Sequence, residues 1–181
     1  MNKWLKYSLF AFGTFAILAI AGVFLLVSRL MPGYEVADGT VYFRSFNNMN
    51  WKVERREVKK ADSVSIRKIG GSGGLYGKDD SFVFFEEIWI KDADAESFHV
   101  LDWRRNFSCD KNWVYWQSIR LSDDPDHFEI LQGGYSRDRN YVYHASSAIE
   151  GADPDSFVVT SETMGRGRDA NREYNLGRPV E

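Results

Sequence analysis

Three stretches of the chain repeat one another, and an internal repeat constrains the fold more than any single motif does. They are Asp79-Asp80-Ser81-Phe82-Val83-Phe84, Asp110-Lys111-Asn112-Trp113-Val114-Tyr115 and Asp138-Arg139-Asn140-Tyr141-Val142-Tyr143. Three residues ahead of each leading Asp stands an aromatic (Tyr76, Phe107, Tyr135), and eleven residues after it an aliphatic (Ile90, Leu121, Ile149). A second core follows in each copy: Ala93-Asp94-Ala95-Glu96-Ser97-Phe98, Asp123-Asp124-Pro125-Asp126-His127-Phe128 and Ala152-Asp153-Pro154-Asp155-Ser156-Phe157. The middle copy is one residue short, at the place of Gly151, and the leading aspartates are 31 and 28 residues apart. A degenerate fourth copy comes first. Tyr34 to Phe43 aligns on Tyr76 to Phe85, and Val58 with Ala61-Asp62-Ser63-Val64-Ser65-Ile66 matches the later half. Between those halves sits an insertion of about ten residues, around Asn47 to Glu57.

Each part of the repeat has a local physical reading. Phe82-Val83-Phe84 and its equivalents alternate aromatic with Val, as a strand with two faces does. The aromatic face, Phe82/Phe84, Trp113/Tyr115 and Tyr141/Tyr143, is expected to be core because aromatics bury the most area. Asp-x-Asn ahead of the strand suits a turn held by a short polar side chain. Asp153-Pro154-Asp155-Ser156 reads as one tight helical turn, Asp capping and Pro fixing φ; Asp124 stands at the matching place. A unit this small cannot bury an aromatic face alone, so neighbours must pair or stack. The expected fold is therefore an all-β, antiparallel repeat domain of about four units, near 34–69, 76–101, 107–131 and 135–160. A meander, a sandwich or barrel, or a propeller-like array would each satisfy that spacing. Gly70-Gly71-Ser72-Gly73-Gly74 lacks the Lys-Ser ending of a phosphate loop and reads as a flexible turn between repeats. Residues 161–181 have little apolar content and read as a disordered tail.

The Asp-x-Asn-aromatic-Val-Tyr core followed by Ala-Asp-Pro-x-Ser-Phe resembles the bacterial DKNYY repeat family, over about residues 74–160 and more weakly 34–69. The match is to the pattern and not to the literal string, since Val114 and Val142 depart from the motif's name. The resemblance implies a bacterial chain and a repeat architecture, and it implies no mechanism.

Ahead of the repeats, Lys6 and Arg29 bracket 22 uncharged residues, Tyr7 to Ser28. As a helix these would span roughly 33 Å, enough for a hydrocarbon core of about 30 Å. Residues 1–33 thus read as a cytoplasmic stub and one transmembrane anchor. Lys3, Lys6 and the free amine lie before the span and Arg29 alone close behind it, so the positive-inside rule places the following domain outside the inner membrane of a bacterium. The competing reading is a cleaved signal peptide ending at Ala19-Ile20-Ala21; the run Val23-Phe24-Leu25-Leu26-Val27 with no polar region after it favours the anchor.

Function is less legible. The three bases of 1–33 leave 20 basic against 26 acidic residues in the rest of the chain, which argues against nucleic-acid binding. Cys109 is the single cysteine and cannot form an internal disulfide. No His stands near it in a nucleophile signature, and it reads as a small hydrophobe. His99, His127 and His144 occupy different repeat positions and suggest no zinc site, and the acidic loops lack the ligand pattern of a calcium site. No cofactor is implied. Trp89, Trp113, Tyr115, Trp116, Tyr141 and Tyr143 are candidate binding residues for an envelope protein or polysaccharide, with Trp89 and Trp116 singled out because they break the repeat. A non-enzymatic binding or scaffolding module is expected; the alternative is an envelope hydrolase acting on glycan or peptide.

Overall fold

A computed structural model describes residues 30–180. The anchor assigned to 1–33 falls almost wholly outside the described residues, and among those residues no helix is long and apolar enough to cross a membrane. The described chain is all-β, with strands grouped into five small antiparallel sheets in chain order. The first holds β1 (Gly33–Ala37), β2 (Thr40–Asn47) and β3 (Lys52–Glu57). The second holds β4 (Arg67–Lys68), β5 (Tyr76–Lys78), β6 (Val83–Phe85) and β7 (Ile88–Trp89). The third holds β8 (His99–Asp102), β9 (Phe107–Cys109), β10 (Val114–Trp116) and β11 (Ile119–Ser122). The fourth holds β12 (Glu129–Ile130), β13 (Tyr135–Arg137), β14 (Val142–His144) and β15 (Ser147–Ala148). The fifth holds β16 (Val158–Ser161), β17 (Arg166–Arg168), β18 (Glu173–Asn175) and β19 (Arg178–Pro179).

Each sheet is a meander of consecutive strands, so the array is a succession of blade-sized units and not one sandwich or closed barrel. The sheets are out of phase with the sequence repeats. The strand after each capped turn pairs forward with the next copy's first hairpin strand, as β4 pairs with β5 and β8 with β9. Each repeat therefore contributes a strand to its successor's sheet, which interlocks the units. The run Gly70–Gly74 lies inside a sheet, as the β4–β5 connection.

The tail is not disordered. β17, β18 and β19 build a fifth unit on the same plan, with Asp169-Ala170-Asn171 leading into Glu173-Tyr174-Asn175. Gly167 supplies the close approach that this unit needs, since a Cβ there would meet the Phe157 ring at 2.4 Å.

Burial differs from the expected two-faced strand. Val83, Val114 and Val142 are wholly buried, and so are Phe84 and Tyr115, with Tyr143 nearly so. Both faces of these strands are core. The aromatic before each Val is the outlying position: Phe82 and Trp113 are half-buried, and Tyr141 is 53% exposed. The strand starts at Val, one residue later than the alternation suggested, because the preceding residue belongs to the turn. The amides of Phe82, Trp113 and Tyr141 are bound by Asp79, Asp110 and Asp138 at 2.6, 2.9 and 2.8 Å.

Packed rings run across unit boundaries. Phe98 lies between Tyr76 and Tyr115 with ring centroids 6.0 and 5.8 Å away. Phe128 lies between Phe107 and Tyr143, and Phe157 between Tyr135 and Tyr174, at 5.0–6.1 Å. The Phe that ends each capped turn thus bridges two successive hairpins, which is how a stacked repeat closes its core.

Candidate functional site

The repeated aspartate is the chemical centre of each unit, and its work is structural. Asp110 Oδ1 accepts the amides of Asn112 and Trp113, while Oδ2 accepts the Tyr115 hydroxyl at 2.7 Å and the Asp94 amide at 2.8 Å. Asp169 repeats all four bonds, with Asn171, Arg172, Tyr174 and Asp153 as donors. Asp79 binds Ser81, Phe82 and the Asp62 amide, and has no phenol because Phe84 stands in place of Tyr. In the shortened copy Asp138 cannot reach the corresponding Asp124 amide. There Ser122 Oγ donates to Asp138 at 2.6 Å and accepts the Asp124 amide at 3.1 Å, relaying the contact through one hydroxyl.

The capped turns feed these contacts. Asp94 accepts the Ser97 amide and hydroxyl, and Asp153 accepts the Asp155 amide and the Ser156 hydroxyl. Asp124 departs from the expected cap. Its carboxylate makes no capping bond in the 3-10 turn Pro125–His127, and instead meets His127 Nδ1 at 2.7 Å. The missing residue before it changes how the turn is approached.

This network shifts proton affinities. Burial opposes ionisation of Asp138, but Ser122, Tyr143 and the amides of Asn140 and Tyr141 outweigh it and hold the carboxyl below its usual range. Asp169, also desolvated, is brought down to about 2 by Tyr174 and three amides. Burial and then the bond to Asp169 push the Tyr174 phenol up to about 12.

The motif Asp-Lys-Asn-Trp-Val-Tyr is thus one hydrogen-bonded turn whose first and last residues bind each other, recurring along the chain. The family model for the DKNYY family matches residues 34–178, nearly the whole described chain. The chain belongs to the DKNYY family. No curated protein and no solved structure matches it. In this DKNYY chain the family match runs through the fifth unit, whose repeat is hard to see in the sequence because Arg166 and Arg172 replace the aromatics there.

The six candidate binding residues do not form one platform. Tyr115 and Tyr143 are inside, with their hydroxyls bound by Asp110 and Asp138. Trp89 is half-buried against Phe82 and covered by Lys60, whose Nζ lies 3.4 Å from the ring centroid. Trp116 is half-buried against the core of Phe107, Cys109 and Val114. Trp113 carries Arg120 4.6 Å over its ring. Tyr141 is the open one, and borders a cleft with Asn140, Ala148, Ile149, Glu150 and Gly151. Phe82, Trp113 and Tyr141 occupy one position in three successive units, the first two half-buried against the core and Tyr141 exposed, and Arg172 holds that position in the fifth.

Two features escaped the sequence reading. Cys109 does have a histidine partner: His99 Nε2 lies 3.2 Å from Sγ, because His99 and Cys109 are register partners across the β8–β9 hairpin. Burial and then the Asp110 charge push the thiol up to about 11, so it stays protonated at neutral pH and lacks the thiolate a nucleophile needs. The second is Trp51, 81% exposed at the tip of the β2–β3 hairpin; it lies in the insertion, outside any repeat pattern. Among the described residues, no three His, Cys, Asp or Glu side chains converge as a metal site.

Proposed function

We propose that this DKNYY chain is a membrane-tethered binding or scaffolding module of the bacterial envelope, held by residues 7–28 with the repeat array outside the inner membrane. The observation that carries the reading is that Phe82, Trp113 and Tyr141 recur at the same turn, one ring per unit, which we take to form an outward row. The carboxylates that recur with the repeat are spent on amides and phenols of the fold, which leaves the aromatics and their flanking cations Lys60 and Arg120 as the surface chemistry that recurs. Stacked repeats offer extended surfaces suited to an elongated partner, and aromatic rings beside cations fit either a sugar face or a peptide. The full-length chain, extracted from membranes, should co-sediment with purified peptidoglycan or cross-link to one envelope protein. The double variant Trp113→Ser/Tyr141→Ser should lose that partner while remaining folded, its melting temperature lowered by only several degrees. Retention of the same partner by the double variant would remove the row from the function. A reporter active only outside the cytoplasm, fused after Glu181, should be active; a silent one would overturn the topology.

A further inference from the structure

The hairpin that interrupts the first repeat has a direction. In the later units the chain turns back immediately after the Phe/Tyr strand, at Glu86, Gln117, Ala145 and Leu176, each with φ near +50°. In the first unit the equivalent residue, Arg44, stays extended, and β2 runs on to Asn47 before β3 returns. The repeat closes again where Val58 donates to Val41 O at 2.8 Å, as Ile90 does to Val83 O. The insertion is therefore an extension of one hairpin beyond its sheet.

It extends toward the side from which the chain arrives. Gly33, the first residue of β1, pairs with Arg44, and Arg44 Nη2 donates to Met31 O. Ser45 to Asn47 and the loop after them therefore project past the start of β1, by about 10 Å of strand plus the loop. The uncharged run ends at Ser28, five residues before Gly33, a reach of at most roughly 17 Å. The extension therefore points to the side from which Leu30 and Met31 enter the first sheet. At the tip Met49 is 93% and Trp51 81% exposed, and Val53 on β3 and Leu30 and Met31 ahead of β1 are exposed as well.

The tip is built, not slack. Asn47 Nδ2 and Asn50 Nδ2 both donate to Glu54 Oε1, while Asn47 Oδ1 and Asn50 Oδ1 accept the amides of Met49 and Lys52. Trp51 sits in the left-handed region at φ 55 with its ring edge-on to Phe46 at 6.0 Å. That conformation is uncommon for a bulky residue, and it is kept at a ring that gains little burial from the fold.

We propose that the β2–β3 hairpin tip docks in the lipid interface beside the anchor, with Trp51 and Met49 among the headgroups and upper acyl chains. Trp favours that layer, where one part of the ring is wet and the rest is not. A second contact point beside a single helix would fix the tilt of the array relative to the membrane. This inference rests on the tether proposed above.

The test uses the full-length chain reconstituted into phosphatidylcholine/phosphatidylglycerol vesicles whose acyl chains are brominated near the headgroup. An environment-sensitive fluorophore is attached at Met49→Cys or, as control, at Lys59→Cys, which lies past the opposite end of β3; the buried, protonated Cys109 should not label. Quenching at position 49 and not at 59 is the expected result. Protein that floats with the vesicles while the probe at 49 stays unquenched would overturn the hairpin inference and leave the tether standing. A blue-shifted but unquenched probe at 49 would mean that protein covers the tip, and would overturn it too. Failure of the chain to float at all would overturn both.

Discussion

The carboxylate of Asp110 accepts the backbone amide of Asp94 at 2.8 Å, across the boundary between two units. The same side chain holds its own turn and the phenol of Tyr115, so one residue joins local turn, strand and neighbour. Asp110→Ala would leave a buried phenol and three amides without their acceptor. Bonds to charged groups contribute about 1.5–3 kcal/mol, so the loss should be about 3 kcal/mol by urea unfolding. Asp80→Ala, one residue after an equivalent Asp but exposed, should cost under about 0.5 kcal/mol. Equal effects would show that the shared contact contributes little.

Phe84 is the one wholly buried ring at the Tyr115 position that lacks a hydroxyl. In the third, fourth and fifth units a phenol five residues after Asp reaches its carboxylate at 2.5–2.7 Å. Phe84→Tyr should therefore gain about 1 kcal/mol, and Tyr143→Phe should lose about as much. A melting temperature lowered by Phe84→Tyr would mean that the second unit has closed over that space.

Stability should fall at both ends of the pH range, for opposite reasons. Asp169 titrates at about 2 in the folded chain and Asp138 below its usual value. A depressed carboxyl contributes stability above its unfolded value, about 3.9, and loses it as pH falls through the folded one. Unfolding free energy should thus be steady above about pH 4 and decline toward pH 2. Tyr174, raised to about 12, does the reverse: its contribution is complete below about pH 10 and is lost between pH 10 and 12. Tyr174→Phe should flatten the alkaline decline. An unchanged alkaline limb in that variant would assign the decline to other groups.

Cys109 offers a check on the non-enzymatic reading. With the thiol raised to about 11 and buried, alkylation by iodoacetamide at pH 7.5 should be far slower than for an unfolded control, rising only toward pH 11. Rapid labelling at neutral pH, abolished by His99→Ala, would instead reveal an activated thiolate and favour the enzyme alternative.

The repeat from Tyr76 to Phe157 could be read from residues alone, because its turns are chosen by local chemistry: the leading Asp of each copy, Asp79, Asp110 and Asp138, holds the amides two and three residues on. The fifth unit keeps that signal in Asp169, Asn171 and Tyr174, but its aromatic periodicity is broken at Arg166 and Arg172. The sheet phase was also hidden, since β4 pairs forward across a glycine-rich loop that looks like a break. His99 and Cys109 are ten residues apart and meet only once the hairpin register is known. Trp51 carries no repeat signal at all, and its exposure follows from the length of β2.

The last prediction separates the two aromatics that the alternating pattern placed on one face. Tyr115 is wholly buried, packed against Phe98 and bound to Asp110, whereas Trp113 is half-buried on the turn with Arg120 over its ring. Tyr115→Ala should cost about 3–5 kcal/mol, as large-to-small core changes do, which in a domain of typical stability leaves little folded protein. Trp113→Ala removes a ring with water on one side and should cost about 1–2 kcal/mol, since it forfeits part of the transfer term and leaves no closed cavity. Both values come from denaturant midpoints at constant slope. If Trp113→Ala proved as damaging as Tyr115→Ala, the outer ring would be part of the core, and the outward row would lose its claim to be a binding surface.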